Sequence, residues 1–134
     1  MKGEELSDQF LDFAARVVKL TAALPKNLAG RHIAGQLLRS GTAIGSNYEE
    51  ARGAESRADF IHRLSISWKE ARESWYWLRL VARAQLIKPG RIEKLLQEGN
   101  EIAAFLPSRW RQREANARSL MLMPIPRRNQ LLNS

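Results

Sequence analysis

Residues 39–51 read Arg39-Ser-Gly-Thr-Ala-Ile-Gly-Ser-Asn-Tyr-Glu-Glu-Ala51, and the reading of this stretch decides the fold. It contains no proline and sits in the middle of a long helical pattern, yet Gly41 and Gly45 stand four residues apart. Each glycine costs a helix about 1 kcal/mol relative to alanine. Close approach of a second helix to a surface without side chains offsets that cost. Ile33, Leu37, Ser40, Ile44, Tyr48 and Ala51 recur at steps of three and four, so they share one face. Asn47 falls about 60° from that face at 100° per residue. A polar amide there needs partners.

Outward from this stretch, the apolar stripes count four helices. Leu6, Phe10, Phe13, Val17, Leu20 and Leu24 form the first, with Ser7 as candidate N-cap and Pro25 as its end. Asn27 opens the second helix, which runs to about Ala54. Ser56-Arg-Ala-Asp59 is a capping-box pattern opening the third, which should end near Ile87. Ile92, Leu95, Gly99, Ile102 and Leu106 make the fourth, and Pro107 should kink or end it. No alternating run bounded by turn residues marks a strand. The expectation is an all-α chain, an antiparallel up-down-up-down four-helix bundle over residues 1–106 with a basic extension over 107–134. Ser108–Arg118 could resume as a basic helix, and Met123-Pro-Ile-Pro126 should stop it.

The third helix carries three faces. Ile61, Leu64, Trp68, Ala71, Trp75, Leu78 and Ala82 keep core spacing. Trp77 lies about 200° from Trp75, on a face with Ile66, Leu80 and Ala84, and a second subunit is the expected cover for it. The alternative is an ordinary exposed tryptophan. Between the two faces runs Lys69, Arg72, Tyr76, Arg79 and Arg83. Four cations in line with an aromatic can track a phosphate backbone while the ring stacks on a base. The same stripe also reads as a solvated face paired with Glu93, Glu98 or Glu101.

The chain has 134 residues and a formal charge of +8. Much of that excess lies beyond residue 105, where six arginines face the single acidic Glu114. A basic balance favours polyanionic partners. The absence of cysteine excludes disulfides and Cys-ligated metals. Met1-Lys-Gly-Glu-Glu leads into an acidic amphipathic segment, not an apolar run, so a cytoplasmic location without a membrane span is the expectation. His32 and His62 lack metal-ligand spacing. Glu70 and Glu73 lie one turn apart, but a di-iron bundle wants Glu-x-x-His where residue 73 is glutamate. Buried partnership with Asn47 and Arg39 is the expected role of these carboxylates. No nucleophile elbow or phosphate loop occurs, so neither catalysis nor a cofactor is expected.

Three motifs in order carry a family resemblance: Gln36-Leu-Leu-Arg-Ser-Gly-Thr-Ala-Ile-Gly-Ser-Asn-Tyr-Glu-Glu-Ala51, Ser56-x-x-Asp-Phe-Ile61, and Lys69-Glu-Ala-Arg-Glu73 with Tyr76-Trp-Leu78. Over roughly residues 6–106 the chain resembles the 23S rRNA intervening sequence proteins, to which the accessory protein of diversity-generating retroelements is related. The resemblance implies a four-helix bundle assembled as a ring-like homopentamer, a link to RNA or DNA, and no enzymatic activity. It matches Ser40, Asn47, Glu50, Glu70 and Glu73 to the family's polar positions, read here with Arg39 as a structural cluster. The basic tail departs from the family pattern. Two functions follow as alternatives: a nucleic-acid-binding oligomer of little sequence specificity, or a scaffold that holds another protein.

Overall fold

The computed structural model describes the backbone of residues 3–122 and the side chains of residues 3–106 and Ala115. Met123-Pro-Ile-Pro126, expected to stop any helix, lies outside the described residues. The elements are α1 (Gly3–Ala23), α2 (Leu28–Arg52), α3 (Arg57–Arg83) and α4 (Pro89–Leu122), with no strand among the described residues. Each of α1 and α3 packs against both α2 and α4, and among the described residues the diagonal pairs make no close backbone approach. The chain is a four-helix bundle around one core, which draws Phe10, Phe13 and Val17 from α1, Leu37, Ile44 and Tyr48 from α2, Leu64 and Leu78 from α3, and Ile92, Ile102 and Leu106 from α4.

The close approach predicted at the α2 glycines is present. A methyl group added at Gly41 would stand 2.8 Å from Val17 Cγ1, and one at Gly45 would stand 3.3 Å from Phe10 Cβ. Residues 10 and 17 of α1 therefore lie against residues 45 and 41 of α2. Phe10 adds an edge-to-face contact with Tyr48, ring centroids 5.2 Å apart. The predicted caps of α2 and α3 hold as well. Asn27 accepts from Gly30 N–H at 2.9 Å, and Ser56 accepts from Asp59 N–H at 3.1 Å.

Three boundaries differ from expectation, each for a visible reason. α1 begins at Gly3, ahead of Ser7. Glu4 and Glu5 occupy its first turn, where negative charge suits the helix dipole, and the Ser7 hydroxyl donates instead to the Glu49 carboxylate of α2. α3 stops at Arg83, short of Ile87. Gln85 adopts φ 57°, Gln85 N–H donates to the Ala82 carbonyl at 3.1 Å and Leu86 N–H to the Val81 carbonyl at 3.1 Å, which closes the helix in a Schellman motif.

The third difference is at Pro107, which does not end α4; the helix continues to Leu122. Proline lacks the N–H that would bond the carbonyl of residue 103. That carbonyl takes a different donor, the Trp68 indole N–H of α3, at 3.1 Å. The expected border between bundle and basic extension therefore falls inside one continuous helix.

Candidate nucleic-acid interface

A helix in a four-helix bundle has two neighbours, and α3 divides its circumference accordingly. Toward α2 it presents small residues. Ser67, Ala71 and Ser74 are buried to 1% exposure or less. The Ser67 hydroxyl donates to the Ile44 carbonyl at 2.7 Å, and the Ser74 hydroxyl lies 3.0 Å from that of Ser40 and 2.9 Å from the Glu70 carbonyl. Toward α4 it presents Trp68 and Trp75, both half-buried, with Trp75 against Gly99. The centre of the buried arc is thus turned toward α2 from the expected Trp68–Trp75 line, because two indoles are too wide for the closest helix approach. They fill the α3–α4 seam.

Opposite the core, Lys69, Arg72, Tyr76, Arg79 and Arg83 all lie exposed on one outward arc. The structure brings these five predicted residues onto a single surface. The Arg72 guanidinium sits over the Trp68 ring at 5.2 Å from its centroid, and Arg79 sits over Trp75 at 4.1 Å. Each pair is four residues apart, the helical spacing that stacks one side chain on the next. Tyr76 lies between them, its ring edge-on to Trp77 at 5.1 Å and 51% of the residue exposed. Among the described residues, no carboxylate forms an ion pair with the four cations. Glu98 is held by Arg16 of α1, with Nε 3.1 Å from Oε2, and Glu101 accepts from Gln97. The pairing with α4 that would have neutralised the stripe is not made.

The predicted polar cluster divides. Arg39 of α2 reaches both Glu70, at 3.1 Å to each carboxylate oxygen, and Glu73. The hydrogen bond with Glu70 raises the Arg39 pKa; partial burial opposes the shift and Glu73 adds to it. Ser40 joins Ser74 at the seam beneath. Asn47 stands apart, donating to the Ala43 carbonyl of its own helix at 2.8 Å, so the expected Asn47–carboxylate contact is replaced by a local one. Glu50 pairs with Arg63 at 2.6 Å. Arg39 is half exposed, which makes the Arg39–Glu70–Glu73 group a surface clamp between α2 and α3, not a buried network.

The expected outer apolar face also changes meaning. Trp77 and Leu80 are half-buried and pack on the core of their own chain, with Trp77 edge-on to His32 of α2 at 5.9 Å. The 200° between Trp75 and Trp77 is the angle between the flank facing α4 and the flank facing α2, so no second subunit is needed to cover Trp77. Ile66 is half-buried and Ala84, the C-cap of α3, is exposed. Among the described residues, the aliphatic side chains most open to solvent lie on α1 and α2: Leu11 at 67%, Val18 at 48%, Leu28 at 87% and Leu38 at 40%. Val18 and Leu38 share the rim of the glycine-lined α1–α2 groove by helical register.

Sequence reasoning missed Ser67 and Ser74, although small residues at 67, 71 and 74 keep three-four spacing and so mark a close helix contact. It also missed the stacking of Arg72 and Arg79, which the repeated Trp-x-x-x-Arg pattern at 68–72 and 75–79 signals. Among the described residues no cluster of three His, Cys, Asp or Glu could hold a metal ion, and no helix is long and apolar enough to cross a membrane.

The crystal structure of a protein of unknown function from the S23 ribosomal protein family of Bacteroides thetaiotaomicron VPI-5482 is 40% identical and superposes with a TM-score of 0.75, covering 83% of this chain and 99% of that one. No curated protein matches. The family model described as 23S rRNA-intervening sequence protein matches residues 5–108, and the chain belongs to that family.

Proposed function

We propose that this protein is a non-enzymatic, oligomeric nucleic-acid-binding protein that grips RNA or DNA through basic surfaces with little sequence specificity. One observation carries the reading: among the described residues, four outward cations on α3 have no carboxylate partner, and two of them rest on indole rings that hold them in place. Freezing a free arginine on a phosphate costs side-chain entropy; an arginine already laid on a ring has less to lose. Phosphates would meet cations that give up no internal ion pair.

Assembly multiplies the effect, because every added subunit repeats the stripe. A homopentameric ring is the first choice for the subunit number, on the strength of the family resemblance. The exposed Leu11, Val18 and Leu38 are a surface that a second copy would cover, more so than the face of Ile66, Trp77, Leu80 and Ala84, whose Trp77 and Leu80 already pack on the core of their own chain. Within the protomer, residues 10 and 17 of α1 lie against 45 and 41 of α2, residues 40 and 44 of α2 against 74 and 67 of α3, and residues 68 and 75 of α3 against 103 and 99 of α4; the reversed order at each seam supports the antiparallel up-down-up-down path. A cytoplasmic setting suits such a partner.

The test is fluorescence anisotropy with random RNA and DNA over a salt series. The logarithm of affinity should fall by about 0.7–0.9 per phosphate neutralised for each unit of the logarithm of salt. Arg72→Ala with Arg79→Ala should shallow that slope. If the wild type binds neither polymer at low salt, the protein is a scaffold for another protein instead.

A further inference from the structure

The outer arc of α3 also has a shape, and shape separates single strands from duplexes. Lys69 to Arg83 spans 14 residue steps, about 21 Å of helix, and the five side chains fall within about 80° of arc at 100° per residue. They make one row, not two. A duplex can meet such a row in two ways. It can lay an outer phosphate ridge along it, or it can take the helix into its major groove. The groove is about 12 Å wide, which a bare helix of about 10–12 Å just fills. α3 is not bare: α2 and α4 flank it on both sides. The bundle is too broad to enter, so a duplex has only the phosphate-ridge contact.

That contact leaves Tyr76 unused. Its ring stands in the middle of the row, between Arg72 and Arg79, and is half open to solvent. Trp77 holds its edge at an interplanar angle of 75°, and His32 holds Trp77 in turn at 80°. An aromatic face propped in one orientation amid phosphate-binding cations has a chemical use when a base is free to lie on it. Bases in a duplex are sealed by their own stacking. Bases in a single strand are not.

Building on the nucleic-acid reading above, we infer that the α3 surface binds a single strand, with Tyr76 stacking one unpaired base between phosphates held by Arg72 and Arg79. Any base has a π-face, so the contact adds affinity without reading sequence.

The full-length protein is titrated with fluorescein-labelled single-stranded RNA, single-stranded DNA, and duplexes of the same sequences at one salt concentration. Both single strands should bind more tightly than either duplex. Tyr76→Ala should weaken single-strand binding by about tenfold, equivalent to about 1.4 kcal/mol. It should leave duplex affinity and the salt slope unchanged, since no cation is lost, and Tyr76→Phe should bind as the wild type does. Circular dichroism of both variants checks that the fold is kept, as the exposure of Tyr76 leads one to expect. If duplexes bind as tightly as single strands, or Tyr76→Ala changes nothing while Arg72→Ala with Arg79→Ala does, the inference falls and the nucleic-acid reading stands. Failure of the wild type to bind any of the four probes overturns both.

Discussion

Replacing glycines of α2 one at a time by alanine should change stability with a sign set by what each new methyl group meets. Alanine gains about 1 kcal/mol over glycine in a helix interior. At Gly35 nothing lies within 4 Å of the added carbon, so Gly35→Ala should keep that gain. At Gly41 the methyl would stand 2.8 and 3.0 Å from the two γ-carbons of Val17. Val17 is fully buried and β-branched, so it has no spare rotamer to turn into. Overpacking of this kind costs about 1–3 kcal/mol. Set against the propensity gain, Gly41→Ala should be destabilising by about 1 kcal/mol. At Gly30 the methyl would fall 1.9 Å from the Pro25 carbonyl oxygen, a backbone atom. The start of α2 must then move, and the Asn27 cap with it, at a cost of about 3 kcal/mol or more.

Urea unfolding followed by circular dichroism at a fixed protomer concentration measures the order, Gly35→Ala above wild type, then Gly41→Ala, then Gly30→Ala. Val17→Ala placed in the Gly41→Ala background should cost less than the sum of the two single changes, because the second removes the atoms the first collides with. Equal stabilisation by Gly35→Ala and Gly41→Ala would refute the reasoning, for it would mean that α1 does not lie on the glycine face.

Three further outcomes are expected. Trp68→Phe should cost more in the wild type than in a Pro107→Ala background by about 1 kcal/mol, because only beside proline does the residue-103 carbonyl depend on the indole N–H; a urea double-mutant cycle reads the difference. Gln85→Gly should raise stability by up to about 1 kcal/mol by relieving a left-handed side-chain residue in the α3 cap, as a shift in thermal midpoint. The Ser7 hydroxyl, opposed by slight burial and aided by Arg52, lowers the Glu49 pKa. A depressed carboxylate contributes stability above its unfolded pKa and loses it as pH falls through the folded value. The stability gap between wild type and Ser7→Ala should therefore be open at neutral pH and close in acid below about pH 4, seen as converging urea midpoints.

The fold was legible because its signals are local. Apolar three-four spacing, Asn27 and Ser56 as caps, and Gly41 and Gly45 as a docking face each depend on neighbours within a turn or two. What sequence could not show depends on which helix stands opposite. Pro107 reads as a break until Trp68 of another helix supplies the missing hydrogen bond. Trp77 reads as a second buried face until α2 is placed on that flank. Asn47 and Glu70 both match polar positions of the family, yet one turns to its own backbone and the other to Arg39. The stripe on α3 was readable as a face from periodicity alone, whereas its lack of carboxylate partners among the described residues was not, since Glu98 is claimed by Arg16 of a helix some eighty residues distant.

The same residues that close the bundle also prepare its surface. Trp68 and Trp75 sit on α3 where the seam with α4 opens outward, one side of each indole facing inward against α4 and the other reaching the rim. The inward side fills space beside Gly99 and supplies the donor that lets α4 run through Pro107. The rim side carries Arg72 and Arg79. Smaller core residues at 68 and 75 would leave these arginines without a ring to rest on, and larger side chains at Gly99 would push the rings outward. The charge pattern of the outer face is thus tied to packing in the seam. A substitution such as Trp75→Leu would lose Arg79 positioning together with core volume, while Arg79→Ala would lose charge alone. Comparing the two at matched salt separates a cation that merely happens to be on the surface from one that the bundle holds in place.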